Sequence, residues 1–121
     1  MTDILEETPS SWEELLKKLR PGSRTVLYRP ERLEQVLELA RRGFRLLVVH
    51  SDSDFRDECR QALRDEGLSS SLMGSHQLVE GRPLSLAKNF YDLVLSCSAP
   101  HPALSEIEAF LAPQGQLVEF D

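Results

Sequence analysis

The chain has 121 residues, 40% of them hydrophobic and 28% charged, with a formal net charge of −6. That length supports one domain with a real core rather than two, and the composition is that of a globular protein, neither disordered nor membrane-embedded. The negative charge and the scatter of the basic residues argue against nucleic acid as a partner, and no window reaches the roughly 20 apolar residues of a membrane span.

The acidic opening, MTDILEETPSS, lacks the basic and apolar regions of a signal peptide, so a cytoplasmic location is expected. Residues 1–9 are expected to be flexible within a single domain, 1–121. From residue 10 to 20, Ser10 or Ser11 offers an N-cap, Glu13 and Glu14 fall in the first turn, and Trp12, Leu15, Leu16 and Leu19 recur at helical spacing. Pro21 and Gly22 stop that helix, and Arg24 to Tyr28 (RTVLY) reads as a short strand. Pro30 suits a first helical position, with Leu33, Val36, Leu37 and Ala40 on one face and Gly43 ending the pattern.

Leu46 to Val49 is a continuous apolar run, as expected of a strand buried on both faces. The next helix carries Phe55, Cys59, Ala62 and Leu63 on one side and ends at Gly67. Between 68 and 88 the pattern suggests a strand near Ser70 to Met73 and a second extended piece at Gln77 to Val79, with loop signals at Gly74, Gly81 and Pro83. Tyr91 to Ser96 (YDLVLS) is a strand, Leu104, Ile107 and Leu111 mark a helix face, and Gln116 to Phe120 is a last strand. Strands alternating with helices imply right-handed crossovers and a three-layer Rossmann-like α/β sandwich, its sheet mostly parallel with about five strands. Cys59 and Cys97 are too few for a disulfide framework and form no CxxC, so both are expected to be buried thiols and no metal site is expected.

Several stretches resemble class I S-adenosylmethionine-dependent methyltransferases. LLKKLRPGSRTVLY is similar to the leading helix and first strand, LELARRGFRLLVV to the first crossover and second strand, and FYDLVLS to the fourth strand. LSEIEAFLAPQGQLVEF resembles the following helix, the Pro-Gly turn (Pro113 and Gly115) and the fifth strand. The resemblance runs from about residue 11 to 121 and implies a truncated form of that topology, since the family adds two further strands after the fifth.

The resemblance also implies a cofactor site, and there the residues depart from it. The family holds S-adenosylmethionine on a glycine-rich loop after the first strand, where the backbone approaches the ligand at a helix N-terminus. Here that stretch is Arg29, Pro30, Glu31 and Arg32, short and without glycine; Pro30 removes an amide donor and Glu31 sets a negative charge where a carboxylate would bind. The family's acidic ribose ligand after the second strand is replaced by His50, whose neutral ring has one acceptor nitrogen. Asp52 is either a substitute for that ligand or, with Ser53, a cap for the next helix. After the fourth strand the run Ser96, Cys97, Ser98, Ala99, Pro100, His101, Pro102 has prolines but lacks the acidic or amide residue and the aromatic common in nitrogen methyltransferases.

A second stretch, RLLVVHSDSDFRDECRQALRDEG, resembles the opening of a receiver domain, but the phosphoacceptor position would fall near Ser96 and no lysine follows Lys88. Cys97 with His50 or His101 makes an imaginable nucleophile and base that no spacing demands. The expected function is therefore a non-catalytic, methyltransferase-like interaction module without cofactor and without catalytic residues. Its interaction surface is the last strand's edge at Gln116, Val118 and Phe120, for a protein partner or a second copy. The alternative is a small-molecule protein or methyltransferase, with S-adenosylmethionine or a nucleotide held by Arg29, His50, Asp52 and Ser96.

Overall fold

A computed structural model of the chain describes residues 12–98, 100 and 102–119. The expected flexibility of residues 1–9, and the readings placed on Ser10, Ser11, Ala99, His101 and Phe120, lie outside the described residues. The elements run α1 (Trp12–Lys18), β1 (Arg24–Tyr28), α2 (Leu33–Arg41), β2 (Arg45–His50), α3 (Ser53–Asp65), β3 (Leu72–Gln77), β4 (Tyr91–Ser96), α4 (Leu104–Glu108) and β5 (Leu111–Glu119). The strands form one sheet in the order β3-β2-β1-β4-β5, and every pairing is parallel. The fold is thus a Rossmann-like α/β sandwich with an all-parallel sheet of five strands.

Strand periodicity explains the apolar runs. On β1, Leu27 faces one core while Val26 and Tyr28 face the other; Leu46 and Val48 oppose Val49 on β2, Leu93 and Leu95 oppose Val94 on β4, and Val118 opposes Leu117 on β5. These strands are covered on both sides, so alternation of polarity disappears from their buried runs, whereas the edge strand β3 is only half-buried. The first core packs against α1 through Leu15 and Leu16, α2 through Val36 and Leu39, and α3 through Cys59 and Leu63. Burial of each such side chain stabilises the fold by about 1.5–3 kcal/mol relative to exposure.

The second face has a thinner cover. No helix lies between β3 and β4; residues 78–90 cross the sheet without regular structure, and Leu84 joins Ile107 of the five-residue α4 and Phe110 just after it over Val26, Val49 and Val94. At the amino end, Asp92 Oδ2 of β4 accepts from Arg24 N at 2.9 Å and Arg24 Nε at 3.4 Å, while the Arg24 guanidinium stands 4.4 Å from the Phe90 ring centroid. These contacts hold the starts of β1 and β4 together.

Several sequence boundaries require correction. Pro30 does not open α2: it is buried in the preceding loop, Arg32 occupies the N-cap, and the helix begins at Leu33. Ser69–Ser71 is a 3-10 turn, and the two short extended pieces expected between 70 and 79 are one strand, Leu72–Gln77. Leu111 belongs to β5 and not to the helix face. Its pairing jumps from Tyr91↔Leu111 to Leu93↔Gln116, so residues 112–115 bulge opposite Asp92. In that bulge Gln114 adopts φ +68, and a Cβ on Gly115 would lie 2.9 Å from the Ala112 carbonyl and 3.0 Å from the Tyr91 carbonyl.

Candidate functional site at the carboxyl ends of β1, β2 and β4

Strand order reverses between β1 and β4, and open α/β sheets place ligands beyond the carboxyl ends at such a point. In this chain that position is laced with the protein's own bonds. The β1–β4 ladder continues past the strands through Cys97 N donating to Tyr28 O at 2.9 Å, and Ser98 Oγ then donates to Arg29 O at 3.2 Å. Arg29 turns the chain at φ +56, a left-handed conformation usual for glycine, while its N–H donates to Val49 O at 2.8 Å. One residue thus joins the ends of three central strands.

The N-terminus of α2 is also filled. Gln35 reaches back so that its Oε1 accepts from Glu31 N at 2.8 Å and Arg32 N at 3.1 Å, the glutamine half of a capping box. Arg32 has no side-chain acceptor to reciprocate; its backbone carbonyl accepts from Gln35 N at 3.1 Å instead. Gln35 is buried, and the Glu31 and Arg32 amides leading into this helix end are satisfied by its side chain.

At the end of β2, His50 stacks on Phe55 with ring centroids 4.4 Å apart. Its Nδ1 accepts from Asp52 N at 3.0 Å, so that nitrogen is the acceptor of the ring. Burial holds the imidazole pKa below its ordinary value; Asp52 and the Pro30 carbonyl oppose this, and Arg29 and Arg56 reinforce it. Asp52 is exposed and caps α3, its Oδ1 accepting from Asp54 N at 2.9 Å. The capping role weighed for Asp52 is the one the structure holds.

Ser96 is fully buried at the end of β4 beside Tyr28. The Cys97 thiol is buried, and its pKa is pushed up to about 12 by desolvation first and Glu31 second. A thiol so protonated is no nucleophile at neutral pH. Arg29, His50 and Asp52 therefore sit close together, joined through Pro30 and Val49, whereas Ser96 lies beneath the loop layer.

Sequence reading missed Gln35, Tyr28 and Glu106. Burial raises the Tyr28 phenol pKa, Arg29 lowers it, and Glu106 raises it further, so these three groups share the β1 end of the second face. Gln35 stands three residues after the true N-cap, a spacing that would have marked a capping box had Pro30 not been taken as the helix start. Nothing in the pattern signals Tyr28 or Glu106, which meet only through the fold.

Among the described residues no group of three or more His, Cys, Asp or Glu side chains is placed to hold a metal ion, and no helix is long and apolar enough to cross a membrane. On the outer edge, Val118 is buried, Gln116 half-buried and Glu119 exposed.

The sequence matches no family profile and no curated protein sequence. Solved structures do share the architecture. A geranyl diphosphate methyltransferase in complex with S-adenosylmethionine superposes with a TM-score of 0.72 at 16% identity, over 88% of this chain and 46% of that one. The cyclase SpnF gives 0.67 at 20% identity, over 82% of this chain and 38% of that one. An S-adenosylmethionine-dependent methyltransferase from Aquifex aeolicus gives 0.65 at 16% identity, over 88% and 61%. The chain therefore has the class I methyltransferase-like fold and spans less than half the length of the first two of these structures.

Proposed function

We propose that this chain is a methyltransferase-fold domain that does not hold S-adenosylmethionine in the manner of that fold and acts by binding another protein. The observation that carries this reading is the occupied loop after β1. A bound methionine carboxylate needs free amide donors in the loop that leads from β1 into α2, and those of Glu31 and Arg32 are taken by Gln35. A bound ribose needs an acceptor for two hydroxyls, and the His50 acceptor nitrogen is taken by Asp52 N. The residues present do not fit the cofactor. The surface offered to a partner is the outer edge of β5. That strand is paired on one side among the described residues and packed on both faces through Leu117 and Val118, which leaves its backbone edge as the adhesive element. A protein partner adding a strand there, or a second copy of the chain, fits that edge.

A second reading has support from one comparison: the methyltransferase superposing at 0.72 was solved with S-adenosylmethionine. On that reading Gln35 swings away and Arg29, His50, Asp52 and Ser96 surround the ligand. Calorimetric titration with S-adenosylmethionine and S-adenosylhomocysteine separates the two. Absence of heat at millimolar ligand, with concentration-dependent self-association in sedimentation velocity or capture of a partner strand by β5, is expected. Micromolar binding overturns the first reading and establishes the second.

A further inference from the structure

The geometry points to residues 78–90 being a hinged strap over the second face of the sheet, latched shut by Glu106. The strap leaves β3 at the carboxyl end, where Leu78 N donates to His50 O at 3.1 Å. It rejoins the fold through Asn89 N and Phe90 N, which donate to Ala109 O and Phe110 O at 3.0 Å each. Between these anchors, Arg82 N donates to Val79 O and merely closes a turn within the strap, with Gly81 at φ +81. The bond that ties its middle to the rest of the protein is Leu84 N donating to Glu106 Oε1 at 2.6 Å.

This bond is charge-assisted and part-buried, and such bonds are the stronger ones. The Leu84 side chain is buried beside it, but its neighbours in the strap are exposed: residues 79–83, 85 and 87–89 all face solvent. Asn89 adopts φ +52 at the downstream anchor, a conformation that asparagine tolerates better than most residues and that suits a hinge. Leu78, Leu86 and Phe90 rest partly buried against the same core, while most of the strap is solvated, and segments held by so narrow a row of contacts open more readily than the core beneath them. When the strap lifts, Leu84 leaves the cluster that contains Val26, Tyr28 and Val49, and that apolar face is uncovered. The device is independent of whether the domain binds S-adenosylmethionine.

Native-state proteolysis tests it. Trypsin reports on the Lys88–Asn89 bond and a glutamate-specific protease on Glu80–Gly81, at enzyme concentrations where cleavage follows the population of the open form. In the unaltered protein, cleavage at both bonds is expected to be slower than in an unfolded peptide of the same sequence. Glu106→Ala is expected to accelerate both by on the order of tenfold or more, as loss of a hydrogen bond to a charged group predicts. Glu106→Gln keeps an acceptor and is expected to stay within about threefold of the parent, since a neutral acceptor holds the strap less tightly. Leu84→Ala, which keeps the N–H and removes the apolar anchor, is expected to accelerate the same two bonds. Unchanged cleavage in Glu106→Ala, or acceleration fully accounted for by a parallel fall in the urea midpoint, overturns the strap. Cleavage of the parent as fast as the unfolded peptide overturns the latch.

Discussion

Replacing Gln35 by alanine removes the acceptor that serves Glu31 N at 2.8 Å and Arg32 N at 3.1 Å. Each lost bond costs about 1 kcal/mol when its donor is left in a partly buried place, and alanine returns a few tenths through its helix propensity. The net loss is therefore about 2 kcal/mol. With a urea m-value of about 1.5 kcal/mol/M for a domain of this size, the midpoint falls by about 1.3 M. For 121 residues the entropy of unfolding near 60 °C is about 0.25 kcal/mol/K, so Tm falls by about 8 °C. The assay is urea unfolding followed by circular dichroism and by Trp12 fluorescence, with coincident transitions as the check on two-state behaviour. Gln35→Glu retains an acceptor, brings a favourable charge to the helix N-terminus, and is expected to lose less than alanine. If Gln35→Ala shifts the midpoint by less than about 0.3 M, the amides at the start of α2 are not held by Gln35, and the loop after β1 is free to receive a ligand.

Gly115→Ala is expected to destabilise by about 1–3 kcal/mol, because its Cβ meets the Ala112 and Tyr91 carbonyls at 2.9 and 3.0 Å and backbone cannot yield as a side chain does; an unchanged thermal midpoint would show that the β5 bulge relaxes freely. His50 has a folded pKa below its unfolded one, so the unfolded chain binds more protons as pH falls below about 6.5. Its contribution is complete above that value and is lost as pH drops toward the folded pKa. The urea midpoint of the parent should consequently fall more between pH 7.5 and 5.5 than that of His50→Gln, and equal falls would remove His50 as the titrating group. The Cys59 and Cys97 thiols are both pushed up to about 12, mainly by burial. Neither is expected to react with a disulfide reagent at pH 8 until the protein unfolds, and a fast stoichiometric reaction in the native state would contradict their burial.

Much of the architecture was legible because it rests on local patterns. RTVLY, LLVV and YDLVLS are short apolar runs whose residues alternate between two covered faces, and the i, i+3, i+4, i+7 spacing of Leu33, Val36, Leu37 and Ala40 survives any detail of packing. The start of α2 was misread because proline at a first helical position is a general preference, whereas Pro30 is buried in a loop pinned by the bond from Arg29 N to Val49 O. The onset of β5 was misread because Pro113 and Gly115 are turn residues in isolation and here form a bulge within one strand.

Composition and periodicity alone determined the strands, the helices and their alternation, since hydrophobic period and turn chemistry act over a few residues at a time. Tertiary structure decided what occupies the carboxyl end of the sheet. Gln35 on Glu31 and Arg32, His50 on Asp52, Ser98 on Arg29, and Glu106 on Leu84 are directional bonds. The partners in two of them lie 69 and 22 residues apart along the chain. Hydrogen bonds depend on distance and angle within a few tenths of an ångström, and only the packed sheet brings such groups into that range.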